Sequence, residues 1–165
     1  MENLSLTVKS YFKTLNLIYI AMVAGQIIFG LVAYFLLQST KFESEFPDMR
    51  DVFIYIVPIF VLGGIFGSTA VFTKTIFNAR SLENLSDKLI EYRSALVMKY
   101  ALLEGPSFFA IVIYLLTGDT VFLGMAGLIL MVFILNRPGI AKAEMDLALD
   151  ADEKLNLENP NHILG

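Results

Sequence analysis

The chain of 165 residues contains no cysteine, no tryptophan and a single histidine, His162. The lack of cysteine excludes disulfides, thiolate metal sites, iron–sulfur clusters and cysteine nucleophiles. One imidazole alone builds neither a haem ligand pair nor a zinc site. Without tryptophan, any aromatic belt at a membrane surface must come from Tyr and Phe. Charge is scarce as well: Asp, Glu, Lys and Arg make up 17% of the residues. No serine has a base beside it, and no apolar segment holds a spaced pair of acids. The expectation is therefore a protein that is not an enzyme. No cofactor, metal or nucleic-acid partner is expected.

What is present is apolar surface. Hydrophobic residues reach 56%, and the mean hydropathy is +0.68. Apolar blocks alternate with charged segments, which is the pattern of membrane spans rather than of a soluble core. The sequence predicts an all-α bundle of four transmembrane helices. Residues 1–14 form a polar, amphipathic N-terminal tail, and 15–37 a first span without a cleavage site. Residues 38–51 form an outer loop with a turn at Pro47-Asp48 and with Phe42 and Phe46 at the interface. Glu43, Glu45, Asp48 and Asp51 are read there as a solvated face rather than a cation site. A second span covers 52–72, with Pro58 expected to kink it.

Residues 73–99 predict a helical hairpin outside the bilayer. Ser86 or Asp87 is the expected N-cap, and Leu89, Tyr92, Leu96, Tyr100 and Leu103 recur at helical spacing. The third span covers 100–116, and 117–120 is a tight turn. The fourth span, 121–135, is short, at about 22 Å for its length. Residues 136–165 form an acidic tail, with an amphipathic helix over 140–147 and disorder after it. Ten of the twelve Lys and Arg residues fall in the two tails and the hairpin. The positive-inside rule then places those segments in the cytoplasm, with the chain in the inner or plasma membrane.

Two features carry functional expectations. Gly63, Gly64 and Gly67 put small residues at i, i+1 and i+4; Gly63 and Gly67 form a face suited to close helix contact, and Ser68 and Thr69 extend it with hydroxyls. The expected partners are the lipid bilayer and other membrane helices, in a homo-oligomer or in the subunits of a larger complex. The second feature is Glu104, an acid set deep inside an apolar run and followed by Gly105-Pro106. A carboxyl in hydrocarbon costs roughly 2.5 to 3.5 kcal/mol. A low-dielectric setting favours its neutral form, which makes it either a reversible ion carrier or a helix-to-helix hydrogen-bonding group. Asn16, Gln26, Ser68, Thr69 and Lys99 are the candidate partners. A further candidate is the carbonyl of Leu102, which loses its helical donor to Pro106.

Ala101-Leu-Leu-Glu-Gly-Pro-Ser-Phe-Phe-Ala-Ile-Val-Ile113 resembles the second helix of the rotor-ring c subunit of F- and V-type ATP synthases. Gly63-Gly64-x-x-Gly67-Ser68 and Ala79-Arg80 resemble that family's glycine-rich first helix and its loop arginine. The resemblance covers about residues 60 to 115, and Ser81 stands where the family has proline. It implies that Glu104 is the ion-carrying carboxylate. It also implies that Arg80 belongs to a cytoplasmic docking surface, with Arg93 as a second basic residue on that side.

Overall fold

A computed structural model describes residues 7–39 and 49–164. All its regular elements are helices: α1 (Val8–Ser39), α2 (Arg50–Ala79), α3 (Leu85–Thr117), α4 (Thr120–Leu135), α5 (Ile140–Leu147) and α6 (Ala151–Glu158). The turn at Pro47-Asp48, the interfacial Phe42 and Phe46, and three of the four loop acids lie outside the described residues. The fourth acid, Asp51, is almost fully exposed.

Helices α1, α2 and α3 are each long and apolar enough to cross a membrane, and α4 with α5, bent by 85°, makes up to a fourth crossing. Ile59, Phe66, Leu128 and Leu135 are all more than half exposed on the outer faces. So much apolar surface is unsuited to water and well suited to acyl chains.

Helix α3 is the hub. Its most extensive neighbour is α2, while α4 and α1 pack on its other sides. Leu89, Tyr92, Leu96, Tyr100 and Leu103 are all buried, as their spacing predicts. The helix runs unbroken through Pro106, and α2 runs unbroken through Pro58. The long hairpin expected between the second and third spans is thus formed by the continuous ends of α2 and α3.

Several boundaries differ from the sequence reading. Helix α1 begins at Val8, well before residue 15, because Val8, Tyr11, Phe12 and Leu15 bury one helical stripe. The Tyr11 hydroxyl donates to the Leu89 carbonyl at 2.6 Å, which ties this first turn to α3. The N-cap of α3 is Asn84 rather than Ser86 or Asp87.

The tail is ordered beyond the amphipathic α5, contrary to the expected disorder. Asp150 caps α6 in a reciprocal capping box with Glu153. The chain then returns to the start of α1, where Thr7 and Ile163 form an antiparallel bridge. The amides of Val8 and Lys9 donate to the carbonyls of His162 and Pro160. Those amides belong to the first turn of α1, where the helix itself offers no acceptor. The tail folds back because it supplies these acceptors and because Leu149, Leu157 and Leu164 find burial there.

At the opposite end Gly118 closes the α3–α4 turn with a φ of 72°, a left-handed conformation that suits glycine. Asp119 caps α4 by accepting from the Val121 amide, and Arg50 at the start of α2 donates to the same carboxylate. The Val121 amide first, then Arg50, hold that carboxyl below the usual range.

Candidate functional site

Glu104 lies on the face of α3 that α1 covers. Tyr100, one turn before it, packs against Tyr19, and Phe108, one turn after it, packs against Phe29. The Glu104 side chain is half-buried. No described residue forms a hydrogen bond or ion pair with it. Each expected partner is engaged otherwise or stands apart. Asn16, Ser68 and Thr69 donate to carbonyls of their own helices. The Lys99 ammonium donates to Asn136 Oδ1 at 2.7 Å and sits 4.6 Å over the Phe72 ring. Gln26 is buried, and no described residue hydrogen-bonds to its amide.

The Leu102 carbonyl belongs to the other side of α3. It faces Gly64 of α2, not Glu104. A methyl group added at Gly64 would sit 2.7 Å from Pro106 Cγ and 3.1 Å from Leu102 O. Pro106 therefore has two effects: it removes the amide that would fill this carbonyl, and its ring fills the notch that Gly64 leaves. Gly105, beside it, has nothing within 4 Å of an added methyl.

Gly63 and Gly67, expected on one packing face, likewise have nothing within 4 Å. They point away from α3, whereas Ser68 is buried against the bundle. Of the three, only Gly64 makes a close contact with another described helix. Gly63 and Gly67, at i and i+4, lie exposed on the outer side of α2.

Arg80 is exposed at the end of α2, and its Nε donates to the Asp146 carbonyl at 2.8 Å. Its partner here is the chain's own tail. Arg93 is half-buried and lies beside Tyr11.

A polar knot at the hairpin end was not visible in sequence. Lys99 of α3 and Lys142 of α5 both donate to Asn136 Oδ1, at 2.7 and 3.1 Å. Tyr100 donates to the Asn136 carbonyl at 2.7 Å. The Tyr92 hydroxyl reaches Asp146 Oδ2 at 3.3 Å. Burial raises the Asp146 carboxyl above the usual range, against the pull of Lys142 and of the Tyr92 hydroxyl. The knot fastens α5 across the ends of α2 and α3. Its signal was Asn136 just before Arg137-Pro138-Gly139, a residue that reads first as a helix stop.

The second feature missed in sequence is a crevice of about 380 Å³ between α1, α3 and α4. Gln26 of α1 and Ser107 of α3 border it. Both are buried, and among the described residues neither the Gln26 amide nor the Ser107 hydroxyl has a hydrogen-bonding partner. Glu104, one turn from Ser107, is not among the lining residues. Among the described residues no group of three or more His, Cys, Asp or Glu is placed to hold a metal ion. Comparison of the chain with protein families, with curated proteins and with solved structures finds no match.

Proposed function

We propose that this is a four-span membrane protein, with both termini and the α2–α3 loop in the cytoplasm. In this reading it is a non-enzymatic subunit that assembles with further copies or with other membrane proteins. The observation that carries the reading is the contrast among three glycines of one helix. Gly64 is used inside the protomer, with Pro106 seated on it. Gly63 and Gly67 on the far side leave backbone open over a full turn. In hydrocarbon, where helix association rests on close packing rather than on water exclusion, such a face is where another helix gains most by approaching.

The test is the size of the assembly extracted in mild detergent. Gly63→Leu with Gly67→Leu is expected to convert it to monomer, or to strip co-purifying proteins, while the helical circular dichroism is retained. Gly25→Leu, also at a site with open space on another helix, leaves assembly unchanged. A wild-type protein that is already monomeric and free of co-purifying proteins overturns the reading.

A second reading, a proton- or cation-translocating element at Glu104, is favoured by the absence of any described residue bonded to that carboxyl. An unpaired acid in a span is free to exchange an ion. This reading requires Glu104→Gln to abolish flux in proteoliposomes without altering assembly. Equal flux in both forms removes it.

A further inference from the structure

The crevice between α1, α3 and α4 supports an inference that is independent of assembly. Its volume of about 380 Å³ falls in the range of small-molecule sites, roughly 300 to 1,000 Å³. Two glycines keep it open. A methyl at Gly30 would meet Ile111 and Leu123 only at 3.8 Å, and one at Gly127 would meet nothing within 4 Å.

The walls are aliphatic apart from Tyr34, Gln26 and Ser107, and no charged residue among those described lines them. Gln26 is 3% exposed and Ser107 1%. Both polar atoms of the Gln26 amide and the Ser107 hydroxyl oxygen lack a partner among the described residues. A hydroxyl in an apolar helix ordinarily bonds back to its own backbone, as Thr117 does to the Ile113 carbonyl at 2.7 Å. Ser107 does not. Two helices thus each bring one unpaired polar group to the same apolar space, at a cost comparable with lost hydrogen bonds.

We propose that this crevice binds an uncharged, lipid-soluble molecule whose polar head both donates and accepts hydrogen bonds. Gln26 and Ser107 take the head, and Leu31, Leu123 and Leu130 hold the apolar body. The head is neutral because no charged residue among those described lines the site to pair with an ion. It must donate as well as accept because the Gln26 amide presents both an N–H and a carbonyl. Entry is from the bilayer, between α1 and α4, whose Leu31 and Leu128 are more than half exposed alongside. A hydroxyl-bearing glyceride has this chemistry.

The probe is a diacylglycerol with a photoreactive diazirine in one acyl chain, added to the full chain in phosphatidylcholine vesicles. A phosphatidylcholine with the same photoreactive chain is the control. Diacylglycerol is expected to label peptides carrying residues 26–34, 107–111 and 123–130, and unlabelled diacylglycerol competes. The control labels lipid-facing positions such as Leu17, Ile59 and Phe66. Gln26→Leu with Ser107→Ala lowers crevice labelling about tenfold, as the loss of two hydrogen bonds to the head implies. Gly127→Leu fills the space while keeping both polar groups, and does the same. Gly25→Leu lies outside the crevice and retains wild-type labelling, which separates loss of the site from loss of the fold. Equal labelling by both probes, labelling indifferent to the variants, or a crevice that holds only water and takes no diacylglycerol overturns the proposal. None of these results depends on whether Gly63 and Gly67 join protomers.

Discussion

Gly64 shows how much one hydrogen atom decides in this bundle. Its neighbours across the α2–α3 seam are a proline ring and a backbone carbonyl, neither of which yields readily. A methyl group 2.7 Å from Pro106 Cγ therefore forces the helices apart. Gly64→Ala is expected to destabilise the protein by about 1–3 kcal/mol, the usual cost of overpacking. Gly63→Ala and Gly67→Ala meet open space and gain helix propensity, up to about 1 kcal/mol each. Thermal unfolding of the protein, dissociated to monomer in a stronger detergent, checks all three, and equal loss at Gly63 and Gly64 contradicts the assignment of the seam. The sequence showed that small residues cluster here. It did not show which of two adjacent glycines faces inward, because they differ by only a fraction of a turn and both flanks of α2 are apolar. The same limit applied to Glu104. Its depth was legible, but the side of α3 on which it falls was not. Its expected partners on α2 lie across the helix, and Lys99 is taken by Asn136.

At the scale of elements, the long helices were legible and the tail was not. Helices α2 and α3 announce themselves by unbroken apolar periodicity, and so does the polar turn between them. Helix α6 is short and mostly polar, and its reasons for folding are tertiary. Lys88 of α3 donates to Glu153 at 2.6 Å, with both side chains nearly nine-tenths buried. Glu153 also closes the capping box with Asp150. No local pattern reveals a partner 65 residues away. Glu153→Gln keeps a capping-box side chain but removes the charge that faces Lys88. It is expected to cost about 1.5–3 kcal/mol, the range for hydrogen bonds to charged groups. The loss should appear locally. Residues 151–164 become susceptible to protease while α1 to α4 keep their thermal transition, although the first turn of α1 frays without the His162 and Pro160 carbonyls. Unchanged protease resistance contradicts the role given to this pair.

For the whole molecule, the decisive relation is between the start of α1, the folded-back tail and the α2–α3 loop. The Thr7–Ile163 bridge holds the tail against the start of α1, and the Tyr11–Leu89 bond holds α1 beside the first turns of α3. The start of α1 and residues 160–164 of the tail therefore lie at the hairpin end, and Asp119 lies at the other. On the four-span reading proposed above, a chain arranged this way crosses the bilayer an even number of times and α4 completes the last crossing. Its 16 residues reach about 24 Å at 1.5 Å per residue, less than the roughly 30 Å of a typical hydrocarbon core. On that reading the bilayer thins around it, or the polar knot at Asn136 sits slightly below the headgroups, where Tyr19 and Tyr100 already bond to backbone carbonyls. Because the chain lacks cysteine, single substitutions report topology cleanly. In sealed right-side-out vesicles, Thr120→Cys is expected to react with a membrane-impermeant maleimide. Ser81→Cys and Asn161→Cys are expected to react only after permeabilisation, since ten of the twelve basic residues share their side. Labelling of Asn161→Cys together with Thr120→Cys would mean three crossings, with α4 lying along the membrane surface, and would break the link between the folded tail and the hairpin end.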